Sequence, residues 1–145
     1  MARVTRPAAP RPAPAARVLI VDDDRESAAA LATLLIRSGR ETATCYEGRG
    51  VVEMVRMHQP DAVLLDIGLP DVDGFKVCRL VRALPEGPGL LMIAVTGWNR
   101  TEDRRLAEAA GFDAHLGKPV DPHDVVALLD RLLEHRGTAR SPHAP

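Results

Sequence analysis

Residues Val63–Gly74 read VLLDIGLPDVDG. The stretch opens as an unbroken apolar run, meets an acid at Asp66, then breaks into Pro, Asp and Gly. An apolar run without alternation is a strand covered on both faces, the habit of a parallel sheet. The Pro/Asp/Gly segment is turn chemistry. It leads into apolar residues at helical spacing, Val77, Cys78, Val81 and Leu84. A strand, a loop and a helix are legible together, with three acids to be assigned among them: Asp66, Asp71 and Asp73.

The same unit recurs outward along the chain. RVLIVD (Arg17–Asp22), AVLLD (Ala62–Asp66) and LLMIAVT (Leu90–Thr96) are continuous apolar runs that end in a polar residue. ETATCY (Glu41–Tyr46) is more polar and suits an edge strand, and AHL (Ala114–Leu116) is a short fifth. Between them lie helical patterns. Ala28, Leu31 and Leu35 precede Gly39, and Val51, Val52 and Val55 precede Pro60. Thr101–Ala110 precedes Gly111 as its stop. Asp121-Pro122 opens the last helix, with Asp124 three residues after the cap and an apolar face of Val125, Leu128, Leu129 and Leu132. Five strand-helix units with short connections predict an α/β doubly wound sandwich with right-handed crossovers.

Composition narrows the class. A chain of 145 residues suits one domain with its own core. A formal net charge of -1 supplies no global field toward nucleic acid or membrane. Hydrophobic residues make up 46% but aromatics only 3%, so the core is aliphatic. Cys45 and Cys78 lie in apolar segments and read as buried free thiols, which suits a reducing cytoplasm. No apolar run approaches the ~20 residues of a membrane span. Residues 1–16 form a Pro/Ala/Arg-rich leader without acids, and residues 136–145 a second tail. Neither buries enough apolar surface to order itself, so the expected folded unit is 17–135. No room is left after the fifth strand for a DNA-reading helix pair, and direct DNA binding is not expected.

In open α/β sheets the working site lies beyond the carboxyl ends of the strands. The first strand ends in Asp22-Asp23-Asp24, the third in Asp66, the fourth in Thr96-Gly97, and Lys118-Pro119 follows the fifth. Acids, a hydroxyl and an amine thus converge on one edge. Clustered carboxylates repel unless a cation offsets them, and an all-oxygen set suits a hard divalent ion such as Mg²⁺. Lysine offers a compact charge for a phosphate. A carboxylate can itself be a nucleophile, and phosphoryl transfer needs positioning and charge neutralisation above all.

The segments VLIVDDD, LLDIGLPDVDG, AVTGW and HLGKPVD resemble the receiver domain of two-component response regulators, over about Arg17 to Leu133. The resemblance implies a flavodoxin-like (βα)5 fold with a five-stranded parallel sheet in order 2-1-3-4-5. It implies Asp66 as the phosphoacceptor and Asp22 and Asp23 as the acidic pair for Mg²⁺ or Mn²⁺, Asp23 being the direct ligand. The backbone carbonyl of Gly68 is implied as a further ligand beside Asp66. Thr96 is similar to the switch hydroxyl, and Lys118 to the lysine that pairs with the phosphate, before a cis peptide bond to Pro119. His115 falls where the family carries a switch aromatic. The partners implied are a histidine kinase or histidine phosphotransfer protein, and a downstream target met through the fourth helix, fifth strand and fifth helix. The resemblance also allows a phosphorylation-dependent dimer. The domain would catalyse its own phosphorylation and dephosphorylation without turning over a separate substrate.

Other acids have plainer readings. Asp24 caps the first helix, and Asp71 and Asp73 are turn and cap residues of their loop. Trp98 stands two residues after Thr96 and would modulate access to the site. Three competing functions share parts of this pattern. A haloacid-dehalogenase-type phosphatase also uses Asp, Thr or Ser, Lys and Mg²⁺, but wants an acid two residues after the nucleophile, where Gly68 stands. A flavin-binding domain of this fold wants a phosphate loop after the first strand, where DDDRE stands instead. A receiver-like scaffold that is never phosphorylated is the third.

Overall fold

The computed structural model describes residues 16–97 and 101–140, with side chains apart from those of 101–103 and 135–140. Five strands and five helices alternate: β1 (Arg17–Val21), α1 (Arg25–Arg37), β2 (Glu41–Cys45), α2 (Val51–His58), β3 (Ala62–Asp66), α3 (Gly74–Arg82), β4 (Leu91–Thr96), α4 (Thr101–Ala110), β5 (Ala114–Gly117) and α5 (Pro122–Arg140). Two short 3-10 turns, Gly48–Gly50 and Gly87–Gly89, precede α2 and β4. The sheet is parallel throughout, in the order β2-β1-β3-β4-β5. This is the strand order that the family resemblance implies, on the doubly wound sandwich that the sequence pattern predicts.

Both faces of the sheet are covered, which is why the central runs are continuous rather than alternating. Leu19, Val21, Val63, Leu65, Met92 and Ala94 pack with residues of α2, α3 and α4. Their strand neighbours Val18, Ile20, Ala62, Leu64, Leu91 and Ile93 pack with α1 and α5 on the other face. β3 and β4 are buried at every position. Burying one such aliphatic side chain is worth about 1.5–3 kcal/mol, so β1, β3 and β4 together carry the sheet's share of the core. Cys45 and Cys78 are both buried free thiols, as expected.

The helix boundaries follow local chemistry. Asp24 caps α1, accepting the N–H groups of Glu26 and Ser27 and the Ser27 hydroxyl. Asp73 caps α3 through the Phe75 N–H, and Asp121 accepts the His123 N–H at the start of α5. α2 closes on Gln59, held in the left-handed region at φ 49° before Pro60, where a helical conformation clashes with the proline ring. Gly39 and Gly111 supply positive φ after α1 and α4.

Two edges of the expected folded unit differ. Ala16, grouped with the leader, accepts the Glu41 N–H through its carbonyl. α5 runs on to Arg140, past the expected boundary at His135. The apolar spacing that marked the helix stops near Leu133, but helical backbone continues until something stops it. The rest of the expected leader and tail lies outside the described residues.

Candidate functional site at the carboxyl edge of the sheet

Asp66 is the last residue of the middle strand and pairs in register with Val95. It is 3% exposed, and with Thr96 it is one of two buried polar side chains among the described residues. A carboxylate at such depth needs partners. Lys118 Nζ donates to Asp66 Oδ2 at 2.7 Å, and the Gly68 N–H donates to Oδ1 at 2.9 Å. Lys118 is held by its own backbone, whose N–H donates to the Thr96 carbonyl at 2.8 Å. The Lys118-Pro119 bond is cis.

Asp22 and Asp23 follow β1 directly. The Asp22 N–H donates to the Cys45 carbonyl, and its Oδ1 accepts the Asp24 N–H at 2.9 Å. One carboxylate oxygen from each of Asp22, Asp23 and Asp66 lies within 4.8 Å of the others. That set is all oxygen, anionic and open on the Asp23 side, which suits a hard divalent cation that keeps some of its waters. Burial pushes the Asp22 carboxyl above its ordinary value; the charges of Asp66 and Asp23 add to this, against the Asp24 N–H and Lys118. Burial alone would lower the Lys118 ammonium. The hydrogen bond and charge of Asp66, joined by Asp22 and Asp23, outweigh it and hold the lysine above its ordinary value. The edge therefore carries surplus negative charge beside one firmly protonated amine.

A cleft of about 640 Å³ opens over these groups and extends along Leu31, Pro119 and Val120 between α1 and the start of α5. Thr96 lies at the end of β4, where it pairs with Gly117. Its place in the strand alternation puts it on the α4 side, away from Leu91 and Ile93. His115, half-buried and paired with Ala94, shares that side by the same alternation. Trp98 lies outside the described residues. Asp22, Asp23, Asp66, Gly68, Thr96 and Lys118 thus meet at one edge. The sequence reading missed the reach of Asp71, whose carboxylate bonds the N–H groups of Gly48 and Arg49 rather than its own turn. Nothing in a Pro/Asp/Gly loop signals so distant a partner.

A parallel sheet in this order, with three acids and a lysine gathered at its carboxyl edge, defines a doubly wound α/β domain with a charged cluster at that edge. The comparisons name the class. The response regulator receiver domain model matches residues 18–130, and the chain belongs to that family. An uncharacterized 14.6 kDa protein of Leptolyngbya boryana is 32% identical over 79% of this chain and 87% of its own length. The DNA-binding response regulator MtrA of Mycobacterium tuberculosis is 37% identical over 78% of this chain but only 48% of its own length. The chain spans about half the length of the MprA and MtrA relatives it matches. Among solved structures, the CheY-like receiver domain protein of Methanospirillum hungatei JF-1 superposes with a TM-score of 0.80 at 28% identity, over 86% of this chain and 98% of that one. The receiver domain of a histidine kinase from Syntrophus aciditrophicus gives 0.75 at 26% identity, over 83% and 92%. The chain is a receiver domain of two-component signalling, and none of its described helices is long and apolar enough to cross a membrane.

Proposed function

We propose that this receiver works as a phosphorylation switch in the cytoplasm, with Asp66 as the acceptor of a phosphoryl group. The observation that carries the reading is the Asp66 carboxylate, buried at a strand end, bonded to Lys118 at 2.7 Å and grouped with Asp22 and Asp23. The donor is a phosphohistidine on a histidine kinase or phosphotransfer protein. An Asp66 oxygen attacks the phosphorus; the P–O bond forms as the P–N bond breaks. Water later cleaves the aspartyl phosphate and restores the carboxylate.

Asp22, Asp23, Asp66 and the backbone carbonyl of Gly68 are the proposed ligands of Mg²⁺ or Mn²⁺, with Asp23 the direct ligand of the acidic pair. When bound, the ion neutralises charge on the phosphoryl oxygens. Lys118 brings its ammonium to the same oxygens, and the Thr96 hydroxyl donates to one of them. His115 changes its packing as Thr96 is drawn toward the phosphate, and the surface of α4, β5 and α5 passes that change to a protein target. Shifting such a two-state equilibrium from 1:99 to 99:1 takes about 5.5 kcal/mol of differential interaction. Trp98 modulates access of water or donor.

The test is chemical. Wild type and Asp66→Asn are incubated with a small-molecule phosphodonor, with Mg²⁺ or with EDTA, and weighed intact by mass spectrometry. One phosphoryl group is expected on wild type with Mg²⁺, and none in the other three samples. Full labelling of Asp66→Asn overturns the acceptor assignment. Sustained turnover of a phosphate monoester would favour the haloacid-dehalogenase-type reading, against which Gly68 already counts.

A further inference from the structure

Asp71 Oδ1 accepts the Gly48 N–H at 2.9 Å, and Oδ2 accepts the Arg49 N–H at 3.0 Å. Arg49 Nε adds a weaker contact at 3.5 Å. An aspartate acting only as a turn residue bonds its own backbone two residues on. Here the partners are 23 and 22 residues away, in the 3-10 turn before α2. The approach is close from the other side as well. A methyl group on Gly48 would stand 3.2 Å from Leu69 and Val72 and 3.3 Å from Asp71 Oδ1. All three belong to the loop between Asp66 and α3, so a methyl group at Gly48 would press that loop away by a few tenths of an ångström.

That loop carries Gly68. It is pinned at one end by the Gly68 N–H on Asp66 Oδ1 and farther along by Asp71. Leu69, 7% exposed, is buried between the two pins. We propose that Asp71 is a positioning residue for the site: it anchors the loop to the turn before α2 and so holds the Gly68 backbone beside Asp66. It touches neither cation nor phosphoryl group. The inference rests on the proposed roles of Asp66 and Gly68. The N–H groups of Gly48 and Arg49 hold the Asp71 carboxyl below its ordinary value, so the anchor stays ionised at neutral pH.

The test uses the full chain as Asp71→Ala, Asp71→Asn and Gly48→Ala. Mg²⁺ affinity is read by calorimetry, amide exchange by NMR, and the melting midpoint in EDTA. Removing a group that supports a metal ligand typically costs at least about 10-fold in affinity. That loss is expected for Asp71→Ala, and a smaller one for Asp71→Asn, which keeps an oxygen for one N–H. Gly48→Ala acts in the same direction, and the double substitution Gly48→Ala with Asp71→Ala costs less than the sum, because both break one contact. Exchange at the Gly68 amide accelerates in Asp71→Ala. An unchanged Mg²⁺ affinity and unchanged Gly68 exchange, beside a lowered melting midpoint, would overturn the proposal and leave Asp71 as a cap. Wild type that binds no Mg²⁺ while Gly68 exchange still responds to Asp71→Ala would instead overturn the metal reading and leave the anchor standing.

Discussion

Lys118 is tied to the acidic edge twice, by its Nζ on Asp66 Oδ2 at 2.7 Å and by its backbone N–H on the Thr96 carbonyl at 2.8 Å. Its two partners therefore lie on two different strands, Asp66 on β3 and Thr96 on β4. Lys118→Ala leaves Asp66 buried without its cation. Complete burial would make that cost several kcal/mol, but the lysine side chain is 40% exposed and water screens the pair. The expected loss is about 1–2 kcal/mol in chemical denaturation. The same substitution in an Asp66→Asn background should be nearly neutral. Strict additivity of the two would show that the pair does not couple.

Asp22 sets a pH dependence. Its folded-state carboxyl lies above the ordinary value, chiefly through burial. Its contribution to stability is therefore present below the unfolded-state value and lost as pH rises through the folded one. At neutral pH the metal-free protein carries an ionised Asp22 at a cost. Asp22→Asn keeps an oxygen for the Asp24 N–H and removes the charge. It should raise the melting midpoint in EDTA near neutral pH, with an advantage that fades below about pH 4. A variant that melts lower than wild type at neutral pH would contradict the sign.

Arg82 closes the far side of the domain. Its Nε and Nη2 donate to the Gly111 carbonyl, its Nη1 to the Gly87 and Leu90 carbonyls, and its Nη2 to Asp113 at 2.7 Å. Asp113 in turn accepts the Met92 N–H. One guanidinium reaches three carbonyls, those of Gly87 in the second 3-10 turn, Leu90 just before β4 and Gly111 just after α4. Arg82→Ala should cost about 2–4 kcal/mol, since the Leu90 and Gly111 carbonyls lose their donor while Gly87 keeps only the Leu90 N–H. Arg82→Lys should recover little, because an ammonium cannot span that fork. Mg²⁺ affinity should not change in either variant.

The thiols should be inert in the native protein. Burial pushes Cys78 up to about 11, and burial likewise raises Cys45. Little thiolate forms at neutral pH, and both sulfurs are shielded. Modification by a thiol reagent should track global unfolding and reach both cysteines at once in denaturant. Fast labelling of one cysteine in the folded state would reveal a local opening.

Strand positions were legible because both faces of β3 and β4 are buried and nothing polar interrupts their runs. The site was legible for a related reason. Parallel strands all end at the same edge, so the terminal residues Asp66 and Thr96, with Asp22 and Lys118 just beyond their own strands, come together there. The 3-10 turns at Gly48–Gly50 and Gly87–Gly89 are too short to leave a periodic signature. The end of α5 was hidden because apolar spacing reports packing, while backbone helix continues without it. Asp71 shows the deeper limit. Its residue type announced a turn, but its partners depend on how two loops from different strands come to rest, and no local window contains both.

The position of Asp66 within the sheet has a mechanical consequence. β3 is flanked by β1 on one side and β4 on the other, and Asp66 is its terminal residue. Asp22, Asp23, Gly68 and Lys118 all lie just past strand ends, in connecting segments. If Asp66 takes up a phosphoryl group as proposed, the strand beneath it is hydrogen-bonded on both sides, and the expected displacement is in the connecting segments that surround the acid rather than in the sheet.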